Sequence, residues 1–336
     1  MNNEGNAILA KRRVQDEGLR TDIVGMMRKA EKPMHRREET IKSSQILTRE
    51  VVALKKRAIE NLEKRVFIAS KSIRKKGANV FIAKKPIDVA EYIRELIGKE
   101  RLGIVPSPQT MEAEIMQAFY YSNKISILSD KYAGMEKDLH FIHPYFPYPY
   151  DVSASSKFPA QYAIVSALLV TDSGTLFMEH DETEALNNHK NVFVICTADR
   201  VFEDDEAAKI AELLEASSGG MIKPFKTQVR GNLIILDNGR MALARSDLKE
   251  ILMCINCYAC SLYCPIYLSV GGLFGAPMMS GIGALSVGYQ NGMKAAINRG
   301  LNYCTLCSKC EVECPMGVPI VGLIQKMRKK AKNSGI

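Results

Sequence analysis

Eight of the nine cysteines in this chain fall into two copies of one spacing, C-x2-C-x2-C-x3-C-P. The first copy is Cys254, Cys257, Cys260 and Cys264 before Pro265, and the second is Cys304, Cys307, Cys310 and Cys314 before Pro315. Two-residue gaps let a curled backbone aim three thiolates at one face of a polynuclear center, which leaves one metal needing a ligand from elsewhere. Zinc also takes paired C-x2-C thiolates in tetrahedral sites, but a zinc knuckle uses two cysteines and leaves the third without a role. The repeated run is that of proteins carrying two 4Fe-4S clusters, in which the fourth cysteine of each motif ligates the other cluster. By that rule one cluster takes Cys254, Cys257, Cys260 and Cys314, and the second takes Cys304, Cys307, Cys310 and Cys264. Each closing proline removes a donor and fixes φ, ending the loop.

The 39 residues between Cys264 and Cys304 include eight glycines, more chain than a small β-type ferredoxin uses between motifs. With "GYQNGMKAAINRGL" at helical period, the segment predicts an all-helical two-cluster module over residues 247–336. Such clusters exchange electrons and do not bind substrate, because every iron is capped by protein.

The chain upstream reads as α/β. "NVFIA", "PIDVAEYIRELIG", "LGIVP", "QTMEAEIMQAFYYS" and "ISIL" alternate strand and helix, with Pro86 opening the first helix and Gly98 closing it. That order predicts a parallel sheet, since parallel neighbors need a crossover and a helix is the usual one. "NVFVICTA" is a buried strand and "EDDEAAKIAELLEA" an acidic helix. "TDSGTLF" reads as a tight hairpin, and Asn238-Gly239 between apolar runs reads as a second one. The α/β domain is therefore expected over residues 48–246, opened by one long amphipathic helix from Thr48 to Lys76. Cys196 is expected to be a buried small hydrophobe, and His140 and His143 to have structural polar roles.

Residues 1–78 carry 20 Lys/Arg against 10 Asp/Glu in a chain whose net charge is +9. Residues 1–47 form a basic helical arm with few periodic apolar positions, which predicts that it meets a partner and not the chain's own core. A basic arm suits an acidic protein, an anionic membrane surface in peripheral contact, or nucleic acid. Nucleic acid is disfavored, because no binding motif accompanies the charge. No apolar run approaches the ~18–20 residues of a spanning helix, and the N-terminal stretch lacks a signal peptide's apolar center. The expected location is cytoplasmic, where thiols stay reduced and clustered cysteines read as metal ligands.

These features together resemble the iron–sulfur subunit of the three-subunit lactate-utilization complex. The resemblance runs over about residues 48–320 through "GANVFIAKKPIDVAEYI", "VPSPQTMEAEI", "VTDSGTLFMEHDETEALNNHKNVFVI", "ILDNGRMAL" and the double cysteine motif. Its most specific parts are Gly174-Thr175 and the stretch Asp237–Arg240. The chain is shorter beyond the second motif than the family pattern, and "HDETEALNNHK" replaces a stretch richer in small and apolar residues. The resemblance implies an α/β domain related to ribose-phosphate isomerases and CoA-transferases. It implies an electron-transfer subunit of a lactate-oxidizing, nicotinamide-independent dehydrogenase, inactive alone, whose partners include a cysteine-rich protein like heterodisulfide reductase. No G-x-G-x-x-G dinucleotide fingerprint is present. Two alternatives stay open: a relay to a heterodisulfide-reductase-like partner without any hydroxy acid, and a CoA-transferase-like enzyme with accessory clusters, whose nucleophile would be Glu179.

Overall fold

A computed structural model describes residues 3–119, 125–128 and 160–335. The expected parallel sheet is present with six strands in the order β1-β10-β7-β4-β2-β3. These are β1 (Asn79–Ala83), β2 (Leu102–Ile104), β3 (Ile125–Ile127), β4 (Tyr162–Ser166), β7 (Asn191–Thr197) and β10 (Asn232–Leu236). Every pairing in it is parallel. Both faces are covered, so the strands read as continuous apolar runs. Along β7, Val192, Val194 and Cys196 enter one core while Phe193 and Ile195 enter the other. Cys196 is a core residue, as expected, with no accessible surface.

A smaller four-stranded sheet, β8-β5-β6-β9, joins β5 (Leu169–Thr171), β6 (Thr175–Met178), β8 (Val201–Phe202) and β9 (Phe225–Gln228). The hairpin read from "TDSGTLF" is its β5–β6 pair, turning at Gly174 with φ +86°. Asn238-Gly239 makes no hairpin. β10 pairs only with parallel strands, and the positive φ of both residues turns the chain into the short helix Arg240–Leu243. Asn-Gly supplies left-handed backbone, and a strand-to-helix turn can use it as well as a hairpin can.

The single long helix expected from Thr48 is two, α3 (Gln45–Glu60) and α4 (Leu62–Lys75), interrupted at Asn61. The Asn61 amide side chain donates to Arg57 O at 3.0 Å, local competition of the kind that favors helix ends.

The basic arm also departs from expectation. Its helices α1 (Asn3–Val14) and α2 (Glu17–Ser43) lie on the chain's own core. Leu19 and Ile23 pack with Tyr267, Leu273 and Phe274 of the cysteine-rich region. Arg37, 5% exposed, donates to Ser217 O at 3.0 Å and to Glu313 Oε2 at 2.6 Å. Leu19, Ile23 and Ala30 on one face of α2, together with Arg37, are the buried residues of that helix.

Beyond residue 246 the described elements are helices and 3-10 turns. The periodic run after Tyr289 is broken at Gly292, which separates Ser280–Asn291 from Met293–Asn298. The helix Ile320–Asn333 closes the region, burying Leu323, Ile324 and Met327. No helix among the described residues is long and apolar enough to cross a membrane.

Candidate cluster sites

The two cysteine motifs adopt the same backbone. The first cysteine of each follows a 3-10 turn (Lys249–Met253; Leu301–Tyr303), and the third lies in a four-residue helix (Ala259–Leu262; Lys309–Val312). The residues flanking the second cysteine are left-handed in both copies: Asn256 and Tyr258 at φ +59° and +57°, Leu306 and Ser308 at +60° and +61°. Left-handed backbone at four non-glycine residues is costly, and it persists only where the surroundings impose it. Here it curls each loop around its own sulfurs.

Position sorts the eight thiols into two sets. Cys254, Cys257 and Cys260 share one small cavity with Cys314, walled by Ile282, Met316, Val318 and Ile320. Cys264 lies with the second motif, close enough that Cys304 and Cys307 act on its thiol, and Cys310 is acted on by Cys304, Cys264 and Cys307. Each set thus takes three cysteines from one motif and one from the other. Burial raises the Cys257 and Cys310 thiols to about 12, so that in these surroundings a bare thiol holds its proton. Metal charge is what would stabilize thiolate there.

Among the described residues, no three His, Cys, Asp or Glu side chains are drawn together as the ligands of a single metal ion. A cubane carries one thiolate on each of four irons and spreads them wider than the ~2.3 Å bonds of one zinc allow. The sulfur-only donor sets, the cavity between four of them and the duplicated loops fit 4Fe-4S clusters.

Each first cysteine is also held from outside its motif. Arg200 Nη2 donates to Cys254 O at 2.8 Å, and Arg328 Nη2 to Cys304 O at 2.6 Å. Arg200 belongs to a buried ionic network between the parallel sheet and the first motif. Arg240 forks onto Glu112 at 2.6 and 2.7 Å, and its Nε donates to Asp199 Oδ1 at 2.7 Å. Glu112 Oε1 also accepts from Asn238 and Gln290, both at 3.0 Å. Asp199 Oδ2 lies 3.3 Å from Arg200 Nε and 3.7 Å from Lys55 Nζ. Burial alone would raise the Asp199 carboxyl, but Arg200, Arg240 and Lys55 outweigh it and hold it below the usual carboxylate range. Burial, followed by the charge of Arg200, pushes Lys55 down to about 7. The motif reading missed Lys55, Glu112, Asp199 and Arg200; the stretch Asp237–Arg240 was its only signal.

Glu179 caps the helix His180–Asn188 and lines a larger cavity that reaches Cys257. His140 and His143 lie outside the described residues.

Two stretches of the chain match known domain families. Residues 68–221 match the LUD domain and residues 250–318 the 4Fe-4S dicluster domain, so the chain carries both. Over 111 residues it is 33% identical to the "Uncharacterized electron transport protein YkgF" of Escherichia coli, a match covering 31% of this chain and 22% of that protein. It is 24% identical to "Lactate utilization protein B" of Bacillus cytotoxicus and 22% to "Lactate utilization protein B 1" of Bacillus mycoides. Those two matches cover 82% of this chain and 70% and 69% of the relatives. The crystal structure of a DUF162 family protein from Deinococcus radiodurans aligns with a TM-score of 0.34 at 12% identity, over 52% of this chain and 98% of that one.

Proposed function

We propose that this chain, a LUD domain joined to a 4Fe-4S dicluster domain, is the electron-transfer subunit of a multi-subunit oxidoreductase whose reductant is lactate or another 2-hydroxy acid. It carries two 4Fe-4S clusters, one on Cys254, Cys257, Cys260 and Cys314, the other on Cys304, Cys307, Cys310 and Cys264. Its division is a basic arm over 1–47, an α/β domain over 48–246 and a helical ferredoxin domain over 247–336. The observation that carries the reading is the sorting of the eight thiols into two sets, each drawing three from one motif and one from the other.

When bound, each cluster supplies one-electron redox chemistry. The chain's own residues do the rest. Ile282, Met316, Val318 and Ile320 exclude water from the first set, and Ser280 Oγ lies 3.5 Å from Cys260 Sγ. Arg200 and Arg328 fix the carbonyls of Cys254 and Cys304, and backbone N–H groups of Asn256 and Val318 point at Cys254 Sγ and Cys314 Sγ at 3.4 and 3.5 Å. Hydrogen bonds and charge near the sulfurs set cluster potential. With all eight cysteines used as ligands no iron is open to substrate, so oxidation of the hydroxy acid falls to partner subunits, among them a cysteine-rich heterodisulfide-reductase-like protein, in the cytoplasm.

Anaerobically purified protein is expected to be brown, to hold about eight iron and eight sulfide per chain, and to take electrons from dithionite. It is expected to oxidize lactate only with its partners present. Stoichiometric zinc with little iron would refute the cluster assignment, and lactate-dependent dye reduction by the single chain would refute the relay role.

A further inference from the structure

Matched position by position, the two motifs differ in what covers them. Ile255, Ala259 and Leu262 of the first are buried, whereas Thr305, Lys309 and Val312, at the same places in the second, are exposed. Leu262 is 7% exposed and Val312 81%. The chain covers the first copy with its own residues and leaves the matching face of the second open. Cys307 is exposed in that face, so a cysteine of the second set reaches the surface itself.

The open face is basic. From Cys304 to Asn333 the chain has six Lys and Arg against two Glu. Both carboxylates are engaged: Glu313 pairs with Arg37, and Glu311 Oε1 accepts from Val321 N at 2.7 Å. That bond and Arg328, which donates to Leu301 O and Cys304 O, hold the last helix along the second motif. Lys332 stands one turn beyond Arg328 on the same flank, and Lys329 three positions before Lys332. Lys309, Lys329 and Lys332 are exposed and form no ion pair among the described residues. Lys330, by contrast, pairs with Asp247 at 2.6 Å. An apolar side chain flanked by polar, accessible groups is the layout of a docking interface.

We propose that this face docks an acidic one-electron carrier protein, which takes electrons from the second cluster. This rests on the preceding reading that the cysteines hold electron-carrying clusters. One electron leaves the reduced cluster for the oxidized center of the carrier; no proton moves and no bond is made or broken. Oxidation of one 2-hydroxy acid by the partner subunits releases two electrons, so two carrier molecules are reduced in turn. Opposite charge speeds encounter by about 10–10³-fold and loses its effect as salt rises, which suits a carrier that must bind and leave. A lipid surface would meet the same lysines but offers the exposed Cys307 no redox center.

The experiment mixes dithionite-reduced holo-protein, freed of excess reductant, with two oxidized acceptors of opposite charge in stopped flow: plastocyanin, which is acidic, and cytochrome c, which is basic. Wild type is expected to reduce plastocyanin faster at low salt than at high salt. The triple variant Lys309→Glu, Lys329→Glu, Lys332→Glu is expected to slow that reaction at low salt at least roughly tenfold and to speed the reduction of cytochrome c. Binding is read apart from electron transfer, by the fluorescence anisotropy of dye-labeled, copper-free plastocyanin, and is expected to weaken in the same variant. Lys64→Glu, Lys71→Glu, Lys75→Glu makes the same change in net charge on α4, which packs against β1 and β8, and is expected to leave both readouts near wild type. If Lys309→Glu, inside the motif, lowers iron content, the pair Lys329→Glu, Lys332→Glu is measured instead. Equal losses in the two triple variants, or a plastocyanin rate in wild type that ignores salt, would overturn the proposal. So would binding of wild type, but not the first variant, to phosphatidylserine vesicles at ~0.15 M salt, which would assign the face to a lipid surface. A preparation that dithionite cannot reduce would instead overturn the cluster reading beneath it.

Discussion

The two cysteine sets share a backbone and differ in surroundings. Cys257, at the center of the first motif, is 9% exposed, while its counterpart Cys307 is exposed. The first set lies against the α/β domain, beneath Arg200 and the buried Lys55, with Arg37 of the arm acting on Cys257 and Cys314. Arg328 of the last helix steadies the second set, and Glu311 acts on Cys310. One motif copied twice has thus been placed once inside and once near the surface. Its ligands are dictated by sequence spacing, whereas its electrostatics come from residues far away in the chain. If the two sets hold the proposed clusters, the inner one lies among Arg200, Lys55 and Arg37 and the outer one beside Glu311.

The largest test of this comparison concerns which cysteine belongs to which set. Combining Cys264→Ser with Cys304→Ser removes two thiols from one set and is expected to lower iron from about eight to about four per chain. Combining Cys264→Ser with Cys254→Ser removes one from each set, and the EPR of both clusters is expected to change. The reverse pattern would mean that each motif holds its own cluster.

A second effect is confined to the buried set. Arg240→Leu strands Glu112 and Asp199 without their shared cation, and breaking a buried pair in this way costs about 3–5 kcal/mol. Chemical denaturation is expected to register that loss, and EPR to show a perturbed first cluster beside an unchanged second. If both signals shifted alike, the network would not be specific to the inner site.

The smallest effect separates the two arginines. Arg200→Gln keeps an amide donor near Cys254 O while deleting a positive charge, which disfavors the more negative, reduced cluster and lowers its potential. Arg328→Gln is expected to do the same at the second set, but less, since charges weigh more in a poorly solvated interior. EPR-monitored redox titration of the two variants measures both shifts, and equal shifts would erase the contrast in burial.

The sheet was legible because its strands announce themselves as short β-branched runs between glycine- and proline-marked helices, and the cysteine motifs because metal ligation leaves little freedom in spacing. What escaped reading was long-range. Glu112, Asp199 and Arg200 each look like ordinary surface charges until the fold brings them to Arg240, up to 128 positions away. The arm was misjudged for a smaller reason. Leu19, Ile23 and Ala30 do fall on one helical face, and all three are buried, but so sparse a stripe is lost among charges. At Asn61 and Asn238-Gly239 the residue types were seen, but the structures they could support were not unique.

Arg37 and its acceptor Glu313 are separated by 276 positions. On a ribosome adding about 5–20 residues per second, an arm made first would wait roughly 14–55 s for the glutamate that clasps it. Ser217 O, the arginine's other acceptor, and Tyr267, Leu273 and Phe274, on which Leu19 and Ile23 pack, are made before Glu313, so the seat is completed in stages and finished only at the second cysteine motif. The arm's contact with Glu313 can therefore close only after both cysteine motifs are nearly complete.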